Sequence, residues 1–455
     1  STYPVIENVI IENNHSHNGG GMAFFRVDGP VLNNVIIRNN QATAYGGGVF
    51  CYVSTISMTN VTITENENLV DGQGGGIMLA ASQGTLDSMT ITNNIGVNHG
   101  GGIWTNYSGG PEGEGDGWTM TNSTISGNTC LKLGGGINFA WSHSTLINCT
   151  ISGNTSGWGG GGINGLGSGF TIKESIISDN YSYGGGGGIR TGGELYDGLE
   201  PPVIEDCIVT SNESESDGGG ILLQDNVDAV ITGTSVVNNH AAGYIGGIDV
   251  TGTSAIINNV TVSGNTSGNG GGIGISGNSN ADITNSIVWD NTGDEVWVYS
   301  SSAIVTYSDI QGGYDGVGNI NADPLFIDAD ADDYGLQIES PCIDAGTADT
   351  DGDGDEDITD YSGTAPDMGA YEFYLAVTGL QYTIENASVI LDWDPIVDAE
   401  FYKIERSIDA EFTTDVEPSV LQTNTHTDID LEWDTEYFYR VSAYVSGLWA
   451  DYSNV

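Results

Sequence analysis

One phrase recurs eleven times along the chain. Its clearest copy is Ile257-Asn258-Asn259-Val260-Thr261-Val262-Ser263-Gly264-Asn265, followed by Gly270-Gly271-Gly272-Ile273. The closing Asn returns at Asn14, Asn40, Asn66, Asn94, Asn128, Asn154, Asn180, Asn212, Asn239, Asn265 and Asn291. Successive spacings are 26, 26, 28, 34, 26, 26, 32, 27, 26 and 26 residues. A period of that size makes a solenoid.

Each repeat reads as two short β-like runs with no helical window. Val260 and Val262 alternate with Thr261 and Ser263, and Ile273 opens a second run with Ile275 two residues on. Period-2 alternation is the strand signature. Gly and Asn between the runs tolerate positive φ and so form turns. The architecture that follows is a parallel β-helix of about eleven coils, one per repeat. Strand spacing of ~4.8 Å makes it a rod of roughly 50 Å.

The repeated Asn has a physical task in such a rod. Its side chain offers donors and an acceptor on a short stem. Stacked from coil to coil, these amides satisfy the turns that bend into the coil. The Gly triplets read as a corner with no room for Cβ. Phosphate binding by a Gly run needs a strand before it and a helix after it, and no helix is available.

These repeats resemble those of secreted bacterial right-handed β-helix proteins, and also those of chlamydial polymorphic outer-membrane proteins. The likeness covers residues 5 to about 300 and implies a secreted or surface-exposed protein. It names no activity, because adhesins, lyases and hydrolases share the scaffold.

Composition narrows the partners. Eight Lys and Arg stand against 61 Asp and Glu in 455 residues, a net charge of −53. Nucleic acid is excluded, since phosphate neutralisation needs a basic face. No run of apolar residues is long enough to span a membrane. Five Cys lack metal spacing. Cys149 and Cys207 fall in one inward column two coils apart, too far for a disulfide.

Two insertions leave the same corner of the coil, three coils or ~14 Å apart. One is Asn106 to Gly117, the other Thr191 to Pro202. Asn138, Trp141, His143 and Asn164 lie between them, with Trp104, Arg190 and Tyr196 beside or within the loops. Per-repeat insertions often mark a binding face. Trp104, Trp141, His143, Arg190 and Tyr196 are therefore the candidate glycan-binding residues. The competing reading is tolerated surface loops with Trp141 packed under them. Aromatics before the Gly runs (Tyr45, His99, Trp158, Tyr183 and Tyr244) read as a structural column.

Catalytic constellations are sparse. A lyase would need a base, and only Arg190 lies by the groove. A glycosidase would need two carboxyls ~5–10 Å apart, for which Glu112, Glu114, Asp116, Glu194 and Asp197 are available. The expected function is an extracellular scaffold, adhesive or structural, that binds glycan. The alternative is a β-helix polysaccharide lyase or glycoside hydrolase.

Beyond Asn291 the phrase fades. Asn321 to Asp328, Ser340-Pro341-Cys342-Ile343-Asp344-Ala345-Gly346 and Asp367-Met368-Gly369-Ala370-Tyr371-Glu372 follow. They resemble the choice-of-anchor tail of secreted β-helix proteins, which implies a cap on the last coil over residues 304–373, after a β-helix over 1–303. Inside it, acids at Asp349, Asp351, Asp353, Asp357 and Asp360 surround Gly354. That is the spacing of an EF-hand-type calcium loop, with Asp355 contributing its carbonyl, and it resembles dockerin loops without their helices. Structural calcium is the expected cofactor. Residues 374–455 hold alternating runs around Trp393, Tyr402 and Tyr437. They resemble a fibronectin type III domain, with Trp393 in the core and Tyr437 as the tyrosine corner. Ser1 to Val5 and Asp451 to Val455 read as an uncapped coil and a shortened strand, so head-to-tail self-association is expected.

Overall fold

The computed structural model describes residues 4–107, 117–196, 198–225, 228–374, 377–385, 388–396, 399–414, 416–429, 431–432, 434–445, 448–450 and 452–453. The chain divides into two compact units, Ser1–Thr359 with Ala365–Tyr371, and Asp360–Thr364 with Glu372–Val455.

The first unit is a parallel β-solenoid of about eleven turns. Its strands form three sheets of 22, 11 and 10 strands. The coil around the clearest repeat shows how. Ile248–Thr251 lies in the 11-stranded sheet, Ser254–Asn258 and Thr261–Ser263 in the 22-stranded sheet, and Thr266–Ser267 in the 10-stranded sheet. The expected two runs per repeat are thus four strands. The longer run breaks at Asn259, whose φ of 50° turns the chain, and the two-residue strand is too short to show alternation.

Beyond shifts at Ser16/Asn18 and Asp28/Val31 in the first coils, the coils keep register. The Ile after each Gly triplet stacks on the next, through Ile103, Ile137, Ile163, Ile189 and Ile221. All are fully buried. Each such side chain contributes roughly 1.5–3 kcal/mol relative to exposure, so the core repeats its driving force with its sequence.

The closing Asn residues form the expected ladder. Asn154 Oδ1 accepts from the Asn128 amide and from Asn128 Nδ2, both at 3.0 Å. Asn154 Nδ2 donates to Ile125 O at 2.9 Å and to Asn180 Oδ1 at 3.0 Å. The pattern continues to Asn291, where Glu295 takes over. Its two carboxylate oxygens accept from Asn291 N at 3.1 Å and Nδ2 at 2.6 Å. Burial raises the Glu295 carboxyl above its usual range. The Gly corner is as crowded as expected. A Cβ on Gly102 would stand 2.7 Å from Gly136 O, while Gly100 has φ of 65°.

All five Cys are free and buried. Cys149 and Cys207 share a column in which side chains receive the preceding coil's amide, with Ser175 between them. Burial lifts the Cys207 thiol to about 12.

After the last coil the chain does more than cover an end. Ile310 and Tyr307 pair with residues Ile320 and Val317 along the final edge. The segment then runs back along the outer face of the 22-stranded sheet. Asn238 Nδ2 donates to Asp332 Oδ1 at 2.6 Å, Asn285 bonds both backbone atoms of Thr347, and Ala370 N donates to Thr261 Oγ1 at 2.9 Å. Thr261 and Ser263, outward by alternation, are buried for this reason.

The second unit holds antiparallel sheets of three and four strands. Trp393 is buried and meets Tyr402 edge-on, and Tyr437 Oη accepts from Glu432 N at 3.1 Å. Of the residues behind the self-association expectation, Ser1, Thr2, Tyr3, Asp451, Asn454 and Val455 lie outside the described residues. No helix among the described residues is long and apolar enough to cross a membrane.

Candidate functional site

The outer face of the 11-stranded sheet carries one column of side chains in register. Phe50, Met78 and Trp104 form an apolar stretch, all nearly buried although they point away from the core. Asn138, Asn164 and Arg190 continue it as a polar stretch. Leu222, Asp249, Gly274 and Trp297 complete it. Outward residues this buried have side chains packed against them, as Tyr45 and Tyr52 are against Phe50 and His99 against Trp104; this column is the floor between those flanking side chains.

The polar stretch is a chain of hydrogen bonds. Arg190 Nη1 donates to Asn164 Oδ1 at 2.9 Å, and Asn164 Nδ2 donates to Asn138 Oδ1 at 2.5 Å. Asn138 Nδ2 and Trp104 Nε1 have no protein partner. Burial pushes the Arg190 guanidinium below its ordinary pKa. Among the described residues no carboxylate pairs with it, and Asp225 acts only at longer range. The floor therefore holds a row of buried donors ending in a half-buried cation, inside a protein of net charge −53.

Trp141 stands beside the floor, at a turn with φ of 48°. Its ring stacks on Tyr107 at 5.3 Å, and Tyr107 meets Tyr196 edge-on at 5.6 Å. The bases of both insertions are thus tied together by aromatics, and Trp141 remains half-exposed. Two expectations need correction. Trp104 is only 6% exposed and lies against His99, so it offers no open stacking face, and its N–H is buried as well. His143 opens the strand His143–Ile147 of the 22-stranded sheet, past the turn from the floor. Glu112, Glu114, Asp116 and Asp197 lie outside the described residues, and Glu194 is exposed.

The aromatics before the Gly runs do not make a continuous column. Tyr45 stacks on Phe50, His99 on Trp104 and Tyr244 on Trp297, while Lys132 sits over Trp158. Tyr45, His99 and Tyr244 thus reach across to their own stretch of floor, while Tyr183 meets Tyr181 edge-on.

In the acidic loop, carboxylate oxygens of Asp349, Asp351 and Asp353 gather within 4.8 Å of one another. Gly354 makes the turn at φ of 99°. Asp349 also accepts from the Gly352 and Gly354 amides. Three hard oxygen donors at this separation fit a divalent cation of calcium's size. Asp357 is engaged elsewhere, accepting from Thr350 N at 2.8 Å and Oγ1 at 2.6 Å, which lowers its pKa. Asp355 is exposed and its amide bonds Asp353, and Asp360 belongs to the second unit.

Comparison with known proteins gives the class of this chain's first unit. The family model for the right handed beta helix region matches residues 47–214 and 112–270, and the solenoid is right-handed. No curated protein matches the chain. Among solved structures, a Fn3-like protein from Clostridium thermocellum is similar at 23% identity, covering 17% of this chain and 82% of its own, with a TM-score of 0.16.

Proposed function

We propose that the chain is an extracellular, surface-associated scaffold whose solenoid groove binds an acceptor-rich glycan. The observation that carries this reading is the half-buried guanidinium of Arg190 at the end of the Asn138–Asn164 chain, which has no ion-pair partner among the described residues. Burying a cation, even in part, without a counter-charge is costly, and a carboxylate or sulfate on a sugar would supply one through charge-assisted bonds. Trp141 beside it offers an apolar face for a sugar ring.

Binding to a glycan array tests this. Trp141→Ala is expected to weaken binding by about 1 kcal/mol, roughly fivefold. Arg190→Gln is expected to abolish the preference for anionic over neutral glycans. A scaffold releases no reducing ends from the bound polysaccharide. Equal binding by wild type and both variants would remove the support for the groove.

Calcium at Asp349, Asp351 and Asp353 belongs to the same proposal, as a structural ion in the segment after the last coil. A cation at 100 times its Kd stabilises by about 2.7 kcal/mol. EDTA is expected to lower the melting temperature of the wild type and to leave an Asp351→Ala/Asp353→Ala variant unmoved. A wild-type transition indifferent to EDTA would dismiss the ion.

A further inference from the structure

Two strand steps along the floor from Arg190, ~9.6 Å at sheet spacing, the groove holds a second and differently built pocket. Its volume is about 570 Å³. Between Asp249 and Trp297 the floor column passes through Gly274, which contributes no side chain. Ile245 fills the space above that glycine and lines the pocket together with Tyr244, Asp249 and Trp297.

Three aromatics form one side of the pocket. Trp297 and Tyr299 stack at 5.8 Å with 5° between their planes, and Tyr244 joins Trp297 at 6.3 Å and 24°. Tyr244 and Tyr299 are 52% and 64% exposed, so their ring faces are open. Opposite them are polar groups. Asp249, 5% exposed, accepts from Thr251 Oγ1 at 3.0 Å, and that hydroxyl lies 3.0 Å from Ser276 Oγ. Asp217 is held by the Tyr244 amide at 2.9 Å. Among the described residues no cation lines the pocket.

We propose that this pocket binds a neutral pyranose ring of a glycan, stacked on the Tyr244–Trp297–Tyr299 strip and hydrogen-bonded by Asp249, Thr251 and Ser276. The parallel rings present a flat surface, which suits the axial C–H face of a sugar. An alkylammonium cage would instead place rings around its ligand from several directions. Asp249 is suited to hydroxyl recognition, because burial lifts its carboxyl to about 7. Below neutral pH it largely keeps its proton, and it can both donate and accept. Asp217 beside it disfavours an anionic sugar. The Arg190 groove and this pocket thus select opposite ligand charges. The inference shares only its ligand class, glycan, with the groove reading and none of its residues.

The test is calorimetric titration of the full chain with neutral trisaccharides of glucose, mannose, xylose and galactose. Trigalacturonate and choline serve as charged controls. At least one neutral trisaccharide is expected to bind saturably at millimolar concentration or below. Trp297→Ala is expected to weaken it about tenfold, and the exposed Tyr299→Ala severalfold. Tyr299→Ala guards against a folding defect at Trp297. Trp141→Ala and Arg190→Gln should leave this affinity unchanged, which separates the pocket from the groove. Absence of binding by every neutral trisaccharide would overturn the proposal. So would preferential binding of choline or trigalacturonate, or affinity unchanged in both aromatic variants.

Discussion

Asn154→Ala is expected to cost the solenoid roughly 3–5 kcal/mol, more than most single substitutions. The side chain removed is one rung of the buried ladder. Without it, the Asn128 amide and Asn128 Nδ2 lose the oxygen both use at 3.0 Å, and Ile125 O loses a donor at 2.9 Å. Asn154 is fully buried. Each buried donor left bare costs about 1–3 kcal/mol. A surface Asn pair supplies the control. Asn148 Nδ2 bonds Asn122 Oδ1 at 2.8 Å on the exposed side of the coil, from a residue at φ of 51°. Asn148→Gly keeps that backbone conformation at little strain and should fall within about 1 kcal/mol of wild type. Urea unfolding of both variants decides the matter. Similar midpoints for Asn154→Ala and wild type would show that the ladder is not a stabilising element.

Asp249→Asn is expected to stabilise the protein, and to do so only above mildly acidic pH. The ordinary carboxyl value is 3.8, and burial raises Asp249 to about 7. Between those two values the unfolded chain gives up a proton that the native state keeps. The native state then binds more protons, so wild-type stability falls as pH rises through this window and levels off above about 7. About three decades at ~1.4 kcal/mol each set the scale, on the order of 4 kcal/mol. Asparagine does not titrate and has nearly the same shape. The variant's advantage should therefore be small near pH 4 and largest at pH 8, as read by denaturant unfolding at both. An equal difference at the two pH values would mean that Asp249 is not held neutral by burial.

The coil, the ladder and the Gly corner were legible because each repeats, and repetition lets a weak local pattern be read eleven times. Asn14 through Asn291 mark the turn, and Val260 and Val262 mark the core. Features that occur once were not legible. Thr261 and Ser263 alternate as outward residues, and nothing in their own sequence says that Ala370 and its neighbours will lie over them. Asp249 sits in Ile248-Asp249-Val250-Thr251 as an ordinary outward acid. Only its packing in the 11-stranded sheet buries it. Its one sequence signal was Gly274, a missing side chain in a column otherwise occupied by larger groups from Phe50 to Trp297. Trp104 was placed on the right face but given the wrong accessibility, since chain spacing shows which face a residue is on and not how deep that face lies.

The Asn ladder has a sense of direction. Every Oδ1 receives protons from the coil before it, and every amide offers its own to the coil after. The column is an arrow pointing from Asn14 toward Asn291. Whatever follows the last Asn must supply an acceptor, because two donors arrive there unmatched. Glu295 meets that condition with its two oxygens, where an amine or an alkyl chain would not. Coils inserted between the ends in the same sense extend the arrow and leave its terminus unchanged. The rod's length is free to vary in whole coils, while the chemistry that stops it is fixed.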